Sequence, residues 1–298
     1  MFATARRCDG VHTHWTHTST KNVDENPLRR FSHQPRSPDA LRILPRAAEQ
    51  RSDQHPRVSV VIPALNEARN LPHVFAKLPR WIHEVVLVDG LSADGTVEVA
   101  RKLFPAVKIV SQTRKGKGNA LACGFAACTG EIIVMLDADG SANPEELPLF
   151  VNELLNGADL AKGSRFLEGG GSSDITPTRR LGNWFFSTLV NTMYDTRYSD
   201  LCYGYNAFWR ECLPMIDVDC DGFEVETLIN LRAARAGLCV IEVPSFEEDR
   251  IYGESNLRTF RDGFRVLRTI FREWPRRNTY VPQSDLVQLD TPVLGVAS

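Results

Sequence analysis

Ile132-Ile-Val-Met-Leu-Asp-Ala-Asp139 begins as a short apolar, β-branched run and closes on two carboxylates. Such a run, bounded by a turn, reads as a β-strand. The same pattern recurs on both sides of it, with strands predicted at 58–62, 84–88, 107–110 and 159–162. Helix-length amphipathic segments separate them, predicting helices at 67–78, 96–104, 117–128 and 144–156. The last of these has Asn143 at the N-cap and Pro144 at the first helical position, where both are favourable. Strand and helix alternating in this way imply βαβ units around a mostly parallel sheet, an α/β fold. Beyond Arg165, Glu168-Gly-Gly-Gly-Ser-Ser-Asp174 is expected to be a mobile loop. A helix at 179–195, a strand at 204–209, a helix at 224–236 and a strand at 239–243 follow.

The 298 residues, 43% of them hydrophobic, allow one large domain or two small ones. A net charge of -2 gives no global reason to expect a nucleic-acid partner. Residues 1–56 carry nine Lys/Arg against six Asp/Glu and lack apolar periodicity, so a disordered basic arm is expected there. The run His12-Thr-His14-Trp-Thr-His17 could bind a metal, but within such an arm it reads as solvated tail. One α/β domain is expected over 57–274, and a loose tail over 275–298. Seven cysteines, odd in number and without a C-x-x-C pair, argue against a disulfide framework or zinc cluster and fit a reducing cytosol. No apolar run approaches the roughly 20 residues a bilayer requires, and no secretory signal is evident. The expectation is a cytoplasmic protein, free to rest on the cytoplasmic membrane face.

Ligands of open α/β sheets gather beyond the carboxyl ends of the strands. Three acidic features fall there: Pro63-Ala-Leu-Asn66-Glu67 after the first strand, Asp89 and the turn to Thr96 after the second, and Asp137-Ala-Asp139 after the fourth. Clustered carboxylates repel, and a hard cation gives them a reason to meet. Asp137 and Asp139 are therefore the candidate ligands of one Mg2+ or Mn2+, completed by water and substrate phosphate. Such a metal stabilises charge growing on a departing diphosphate. Asp137 could instead cap the following helix, and Asp94 reads as a turn residue beside Gly95.

These residues carry a resemblance. Val60-Val-Ile-Pro-Ala-Leu-Asn-Glu67, Val88-Asp-Gly-Leu-Ser-Ala-Asp-Gly-Thr96, Lys115-Gly-Lys-Gly-Asn-Ala120 and Leu136-Asp-Ala-Asp139 resemble the family 2 glycosyltransferases. Within that family the chain is most similar to the dolichyl- and polyprenyl-phosphate sugar synthases, the dolichol-phosphate mannosyltransferase kind. The resemblance implies a GT-A fold, a mostly parallel Rossmann-like sheet with helices on both faces. It implies an enzyme taking an NDP-sugar donor with Mg2+ or Mn2+, and transferring the sugar with inversion to a polyprenyl phosphate or a sugar acceptor. Carried over position by position, Pro63, Asn66, Glu67 and Asp89 would line the nucleoside pocket. Lys117 in Arg114-Lys-Gly-Lys-Gly118 would sit near the donor phosphates, as would Arg250 and Ser255 in Arg250-Ile-Tyr-Gly-Glu-Ser-Asn256. Arg165 in Gly163-Ser-Arg-Phe166 would face diphosphate or acceptor phosphate, with a surface ion pair as the other reading. Three departures stand out: Ser141 where relatives have a metal-serving Gln, Asn206 for an Arg, and Asn256 for a Lys.

Asp200 and Glu226 match the acceptor-side pattern and are the candidate bases, should the acceptor be a hydroxyl that must lose a proton. Each has a structural reading too, Asp200 as a loop cap and Glu226 as a first-turn helix residue favoured by the dipole. A polyprenyl phosphate is already anionic and needs no base. Finally, Phe260, Phe264, Leu267, Phe271 and Trp274 recur at steps of four and three, with Arg261, Arg265, Arg268 and Arg272 one residue later. This basic amphipathic helix over 258–274 suits a peripheral membrane contact, or a terminal helix that packs its aromatics on the domain. Rivals to transfer onto a lipid phosphate are the same fold acting on a soluble acceptor, a nucleotidyltransferase, and a non-catalytic nucleotide-sugar-binding protein.

Overall fold

The computed structural model describes residues 56–254 and 257–274, all within one compact unit. The expected N-terminal arm, the tail beyond 274, and Ser255 and Asn256 lie outside the described residues. Seven strands form the central sheet in the order β3-β2-β1-β4-β7-β5-β8. They are β1 (Val58–Ala64), β2 (Glu84–Asp89), β3 (Lys108–Ser111), β4 (Ile132–Met135), β5 (Leu160–Ser164), β7 (Asn206–Trp209) and β8 (Val240–Pro244). All run parallel except β7, which lies antiparallel between β4 and β5. The predicted strands are found within about two residues, because every residue of β4 and nearly all of β1 and β2 is buried. Two-residue strands β6 (Gly171–Ser172) and β9 (Phe246–Glu247) pair beside the sheet. The expected mobile loop is thus partly a strand. Gly171 is required there, since a Cβ would stand 2.7 Å from the Phe246 ring.

The helices are α1 (Leu71–Lys77), α2 (Thr96–Leu103), α3 (Lys117–Ala127), α4 (Leu147–Leu155), α5 (Pro177–Tyr194), α6 (Leu213–Ile216), α7 (Val225–Ala236) and α8 (Thr259–Glu273). Helices cover both faces of the sheet. Phe125 of α3 meets Phe208 edge-on at 5.3 Å, while Phe150 of α4 stacks on Tyr205 at 4.2 Å. Phe208 in β7 and Tyr205 just before it are three positions apart in extended chain and point to opposite faces, so α3 and α4 lie on opposite sides. Helix α1 begins four residues later than expected, because Glu67 O accepts from both Asn70 N and Leu71 N in a turn. Asn143 does cap, accepting from Glu145 N at 3.2 Å, but over a 3-10 turn at Pro144–Glu146 that precedes α4.

A second apolar cluster joins α5, α7 and α8 through Val190, Tyr194, Leu231, Val266 and Ile270. Cysteines 123, 128, 202, 212 and 220 are outside any disulfide, and Cys239, just before β8, is disulfide-bonded. Among the described residues no helix is long and apolar enough to cross a membrane.

Candidate active site

A cleft of about 1130 Å³ opens along the carboxyl ends of β1 and β4 and runs to α5 and α8. Pro63 and Glu67 line it from the β1 side. Asn66 and Asp89, expected beside them, do not. Asn66 turns left-handed (φ 59°), and its Oδ1 accepts from Ala93 N at 2.8 Å. Asp89 accepts from Leu91 N at 3.1 Å and Ser92 N at 3.2 Å. Two adjoining loops need acceptors for their amides, and these side chains supply them, so they brace the loops behind this end of the cleft. Asp94 is a turn residue as expected, accepting from Ala68 N and Thr96 N at 3.0 Å.

Asp137 and Asp139 follow β4 into the cleft, and each already faces a cation. Lys117, at the start of α3, places Nζ 2.7 Å from Asp137 Oδ1 and 2.8 Å from Glu226 Oε1. Burial alone would lower the Lys117 pKa, but the two carboxylates reverse this and hold it above its ordinary value. Burial pushes Glu226 up, with Lys117 opposing. Backbone contact seats this trio. Gly116 sits at φ 110° with Asp221 O only 2.1 Å from where a Cβ would be, and Gly118 N donates to Asp221 O. A Cβ on Gly204 would stand 2.8 Å from Lys117 Nζ and 3.2 Å from Asp137 Oδ2. Arg250 reaches across the cleft to Glu67 and, at 3.3 Å, to Asp139 Oδ2. Glu67 also accepts from Asn70 Nδ2, and burial raises its pKa in spite of both partners. Ser141, the departure from the family pattern, donates from Oγ to Asp139 Oδ1 at 2.9 Å.

Asp137 and Asp139 are hard oxygen donors, both partly accessible at the cleft floor. Among the described residues no group of three or more His, Cys, Asp or Glu is gathered to hold a metal. That donor set fits Mg2+ or Mn2+, which keeps waters and takes phosphate oxygens rather than a full protein cage.

Arg165 lines the cleft, but its guanidinium is already engaged. Nε and Nη2 donate to Asp200 at 2.7 and 3.0 Å, and Nη1 to Glu247 at 3.0 Å. Asp200 is fully buried and outside the cleft lining, so the expectation that it works as a base is corrected: it anchors Arg165. Burial would raise its pKa, yet Arg165 holds it below the usual carboxylate range. Asn206, another departure, is buried in β7 with Nδ2 on Tyr203 O at 3.4 Å. Sequence reasoning missed Glu247, which also accepts from Ser172 Oγ at 2.6 Å, and Asp249, an exposed carboxylate of the lining. Both stand just before Arg250, and the run Glu247-Glu-Asp249 was the available signal.

Helix α8 turns Phe260, Phe264 and Phe271 away from the domain, while Trp274 at its C-terminal end meets Tyr194 edge-on at 5.6 Å. Asp262, Val266, Ile270 and Glu273 face inward, and Glu273 is held by Arg232 and Arg235 of α7. At about 100° per residue the aromatic stripe lies nearly opposite. Phe260, Phe264 and Phe271 are accordingly 88%, 68% and 56% exposed. Leu181, Trp184 and Phe185 of α5 are exposed too, and all but Phe271 line the cleft's outer part.

A family model described as glycosyl transferase family 2 matches residues 59–214. The chain is 33% identical over 213 residues to undecaprenyl-phosphate mannosyltransferase of Micrococcus luteus, covering 67% of this chain and 87% of that one. It is 33% identical over 243 residues to polyprenol monophosphomannose synthase of Mycolicibacterium smegmatis, covering 73% and 86%. Among solved structures it resembles glucosyl-3-phosphoglycerate synthase of Mycobacterium tuberculosis, crystallised with Mn2+, UDP and product. That likeness has a TM-score of 0.59 at 23% identity, covering 77% of this chain and 82% of the other. The sheet order, the acidic rim after β4 and these matches together make the chain a GT-A-fold glycosyltransferase belonging to glycosyl transferase family 2.

Proposed function

We propose that the enzyme transfers a sugar, with inversion, from an NDP-sugar to a polyprenyl (dolichyl-type) phosphate on the cytoplasmic face of a membrane, the side nucleotide sugars reach. Pro63 and Glu67 border the nucleoside, and Lys117 and Arg250 hold the diphosphate. Asp137 and Asp139 hold Mg2+ or Mn2+, which when bound supplies positive charge against the leaving diphosphate. Arg165, fixed by Asp200 and Glu247, sets the electrostatics of the acceptor end. Ser255 is a further donor-phosphate candidate on family grounds alone.

The carrying observation is the exposed aromatic face of α5 and α8 at the cleft mouth. Large apolar side chains at that density rarely face water without a binding role. An interfacial helix bearing Arg261 and Arg268 beside them suits anionic headgroups, and a lipid acceptor would enter the cleft from that side. The state of the two expected bases supports the same acceptor. Asp200 is sealed under Arg165 and Glu226 is paired with Lys117. A phosphate acceptor needs neither. The names of the two curated relatives, a mannosyltransferase and a phosphomannose synthase, make mannose the first sugar to try.

One observation favours a second reading. Asp249 is exposed in the cleft lining and has no ion pair among the described residues, so it could serve a hydroxyl acceptor as base. The test is transfer from radiolabelled GDP-mannose or UDP-glucose, with Mn2+, to undecaprenyl phosphate in detergent. Label is expected in the organic phase, with Asp249→Asn retaining it. Label confined to water-soluble acceptors, and lost in Asp249→Asn with donor binding intact, would move the assignment to the hydroxyl reading.

A further inference from the structure

Asp137 and Asp139 are each paired with a cation of the chain, and each of those cations is shared with a second carboxylate behind it. Asp137 meets Lys117, backed by Glu226; Asp139 meets Arg250, backed by Glu67. Two cations facing four carboxylates leave a formal deficit of two positive charges, the charge of one divalent ion. The arrangement is built into the backbone. Gly116 and Gly118 press the Lys117 loop on the Cys220–Asp221 backbone that leads into α7 and Glu226, and Gly204 leaves no room for a side chain beside Nζ. On the far side, Ile251 packs where a Cβ on Gly140 would be, and Tyr252 O accepts from Arg250 Nε at 2.8 Å.

Resting on the assignment of Asp137 and Asp139 as metal ligands, we propose that Lys117 and Arg250 are exchangeable counter-ions. They hold the two carboxylates in the free enzyme and pass to the donor diphosphate when it binds. Glu226 and Glu67 are positioning residues that keep the two cations within reach during the exchange. A metal arriving alone would have to displace an ammonium and a guanidinium that find no new partner. A metal arriving with a diphosphate displaces them onto phosphate oxygens. Metal and nucleotide binding are therefore coupled, and the coupling must be the same in either order of addition.

The test is Mn2+ affinity of the full chain, by calorimetry and Mn2+ electron paramagnetic resonance, without nucleotide and with GDP or UDP. In the wild type Mn2+ is expected to bind weakly alone and much more tightly with nucleotide. Lys117→Met should bind Mn2+ about tenfold more tightly without nucleotide, with the coupling reduced by a similar factor. Lys115→Met, an exposed lysine of the same loop, should leave both unchanged; an equal gain there would show a general field effect and overturn the exchange. Should Lys117→Met fold poorly, Lys117→Met/Glu226→Gln removes both halves of the pair and is expected to gain in the same direction. Unchanged or weaker nucleotide-free affinity in these variants overturns the proposal. Failure of the wild type to bind Mn2+ even with nucleotide, or binding that survives Asp137→Asn/Asp139→Asn, overturns the metal assignment itself.

Discussion

Replacing Phe260 and Phe264 together by serine should release the enzyme from membranes while leaving its fold intact. The two rings are 88% and 68% exposed, so about one and a half phenylalanines' worth of surface is free to enter lipid. Full burial of such a side chain contributes about 1.5–3 kcal/mol, giving roughly 2–5 kcal/mol for the pair. Since each 1.4 kcal/mol is about tenfold in an equilibrium constant, complete insertion would mean a loss of roughly fifty- to a few thousand-fold. A helix lying in the interface buries only part of that area, so a loss of at least about tenfold is expected. Flotation with vesicles containing anionic lipid measures it directly, and raising the salt should weaken the wild type through its exposed arginines. The melting temperature should hardly move, because Ser and Phe have similar helix propensity and both rings lie opposite the buried stripe. Unchanged flotation would refute the membrane face. A drop in melting temperature of several degrees would show that the rings are part of the core.

Thermal shift tests the metal carboxylates: GDP or UDP should raise the melting temperature only with Mn2+ present, and Asp139→Ala should abolish the gain. A mutant that responds like the wild type would remove Asp139 from the site. The Arg165–Asp200 pair should give an acid limit to stability. Asp200 has a folded pKa below its ordinary value of about 3.9, so its contribution is full above about pH 4 and is lost as pH falls through the depressed folded value. Asp200→Asn, leaving Arg165 with only Glu247, should cost about 3 kcal/mol at neutral pH and flatten the melting temperature's dependence on pH below 4. An unchanged acid profile in that variant would refute the pairing as its cause.

Most of the sheet was legible because buried strands of a parallel sheet are β-branched runs, and those stand out against amphipathic neighbours. Helix α5 begins two residues earlier than expected although its signal is present: Thr176 caps Arg179 N at 3.3 Å, and Pro177 occupies the first turn. Strands β6 and β9 have two residues each, too few for any period to show. Side-chain partnerships were the least legible. Arg165 joins Asp200 and Glu247 from 35 and 82 residues away, and no local pattern encodes such pairs. Asn66 and Asp89 are ambiguous for a related reason: a polar residue at a strand end serves a loop amide or a ligand equally well, and here both accept from the amides of the neighbouring loop. On α8 the spacing of the aromatics was legible but not their direction. The inward face carries Val266 and Ile270 together with two acids, Glu273 held by Arg232 and Arg235 and Asp262 accepting from the Arg258 amide at 2.7 Å, which leaves Phe260, Phe264 and Phe271 on the outer side.

The acidic rim teaches a similar point about charge. Read from sequence, carboxylates gathered at one sheet edge call for a cation, and a divalent metal is the natural candidate. In the folded chain the demand is met first by Lys117 and Arg250, each shared between two acids. Lys117 and Arg250 thus offset part of the repulsion from within the chain itself. The same pairing leaves both cations reaching into the cleft where a diphosphate would lie. A stabilising ion pair and a phosphate-binding side chain are then one device in two states, and what selects between them is whether an anion stronger than a lone carboxylate is present.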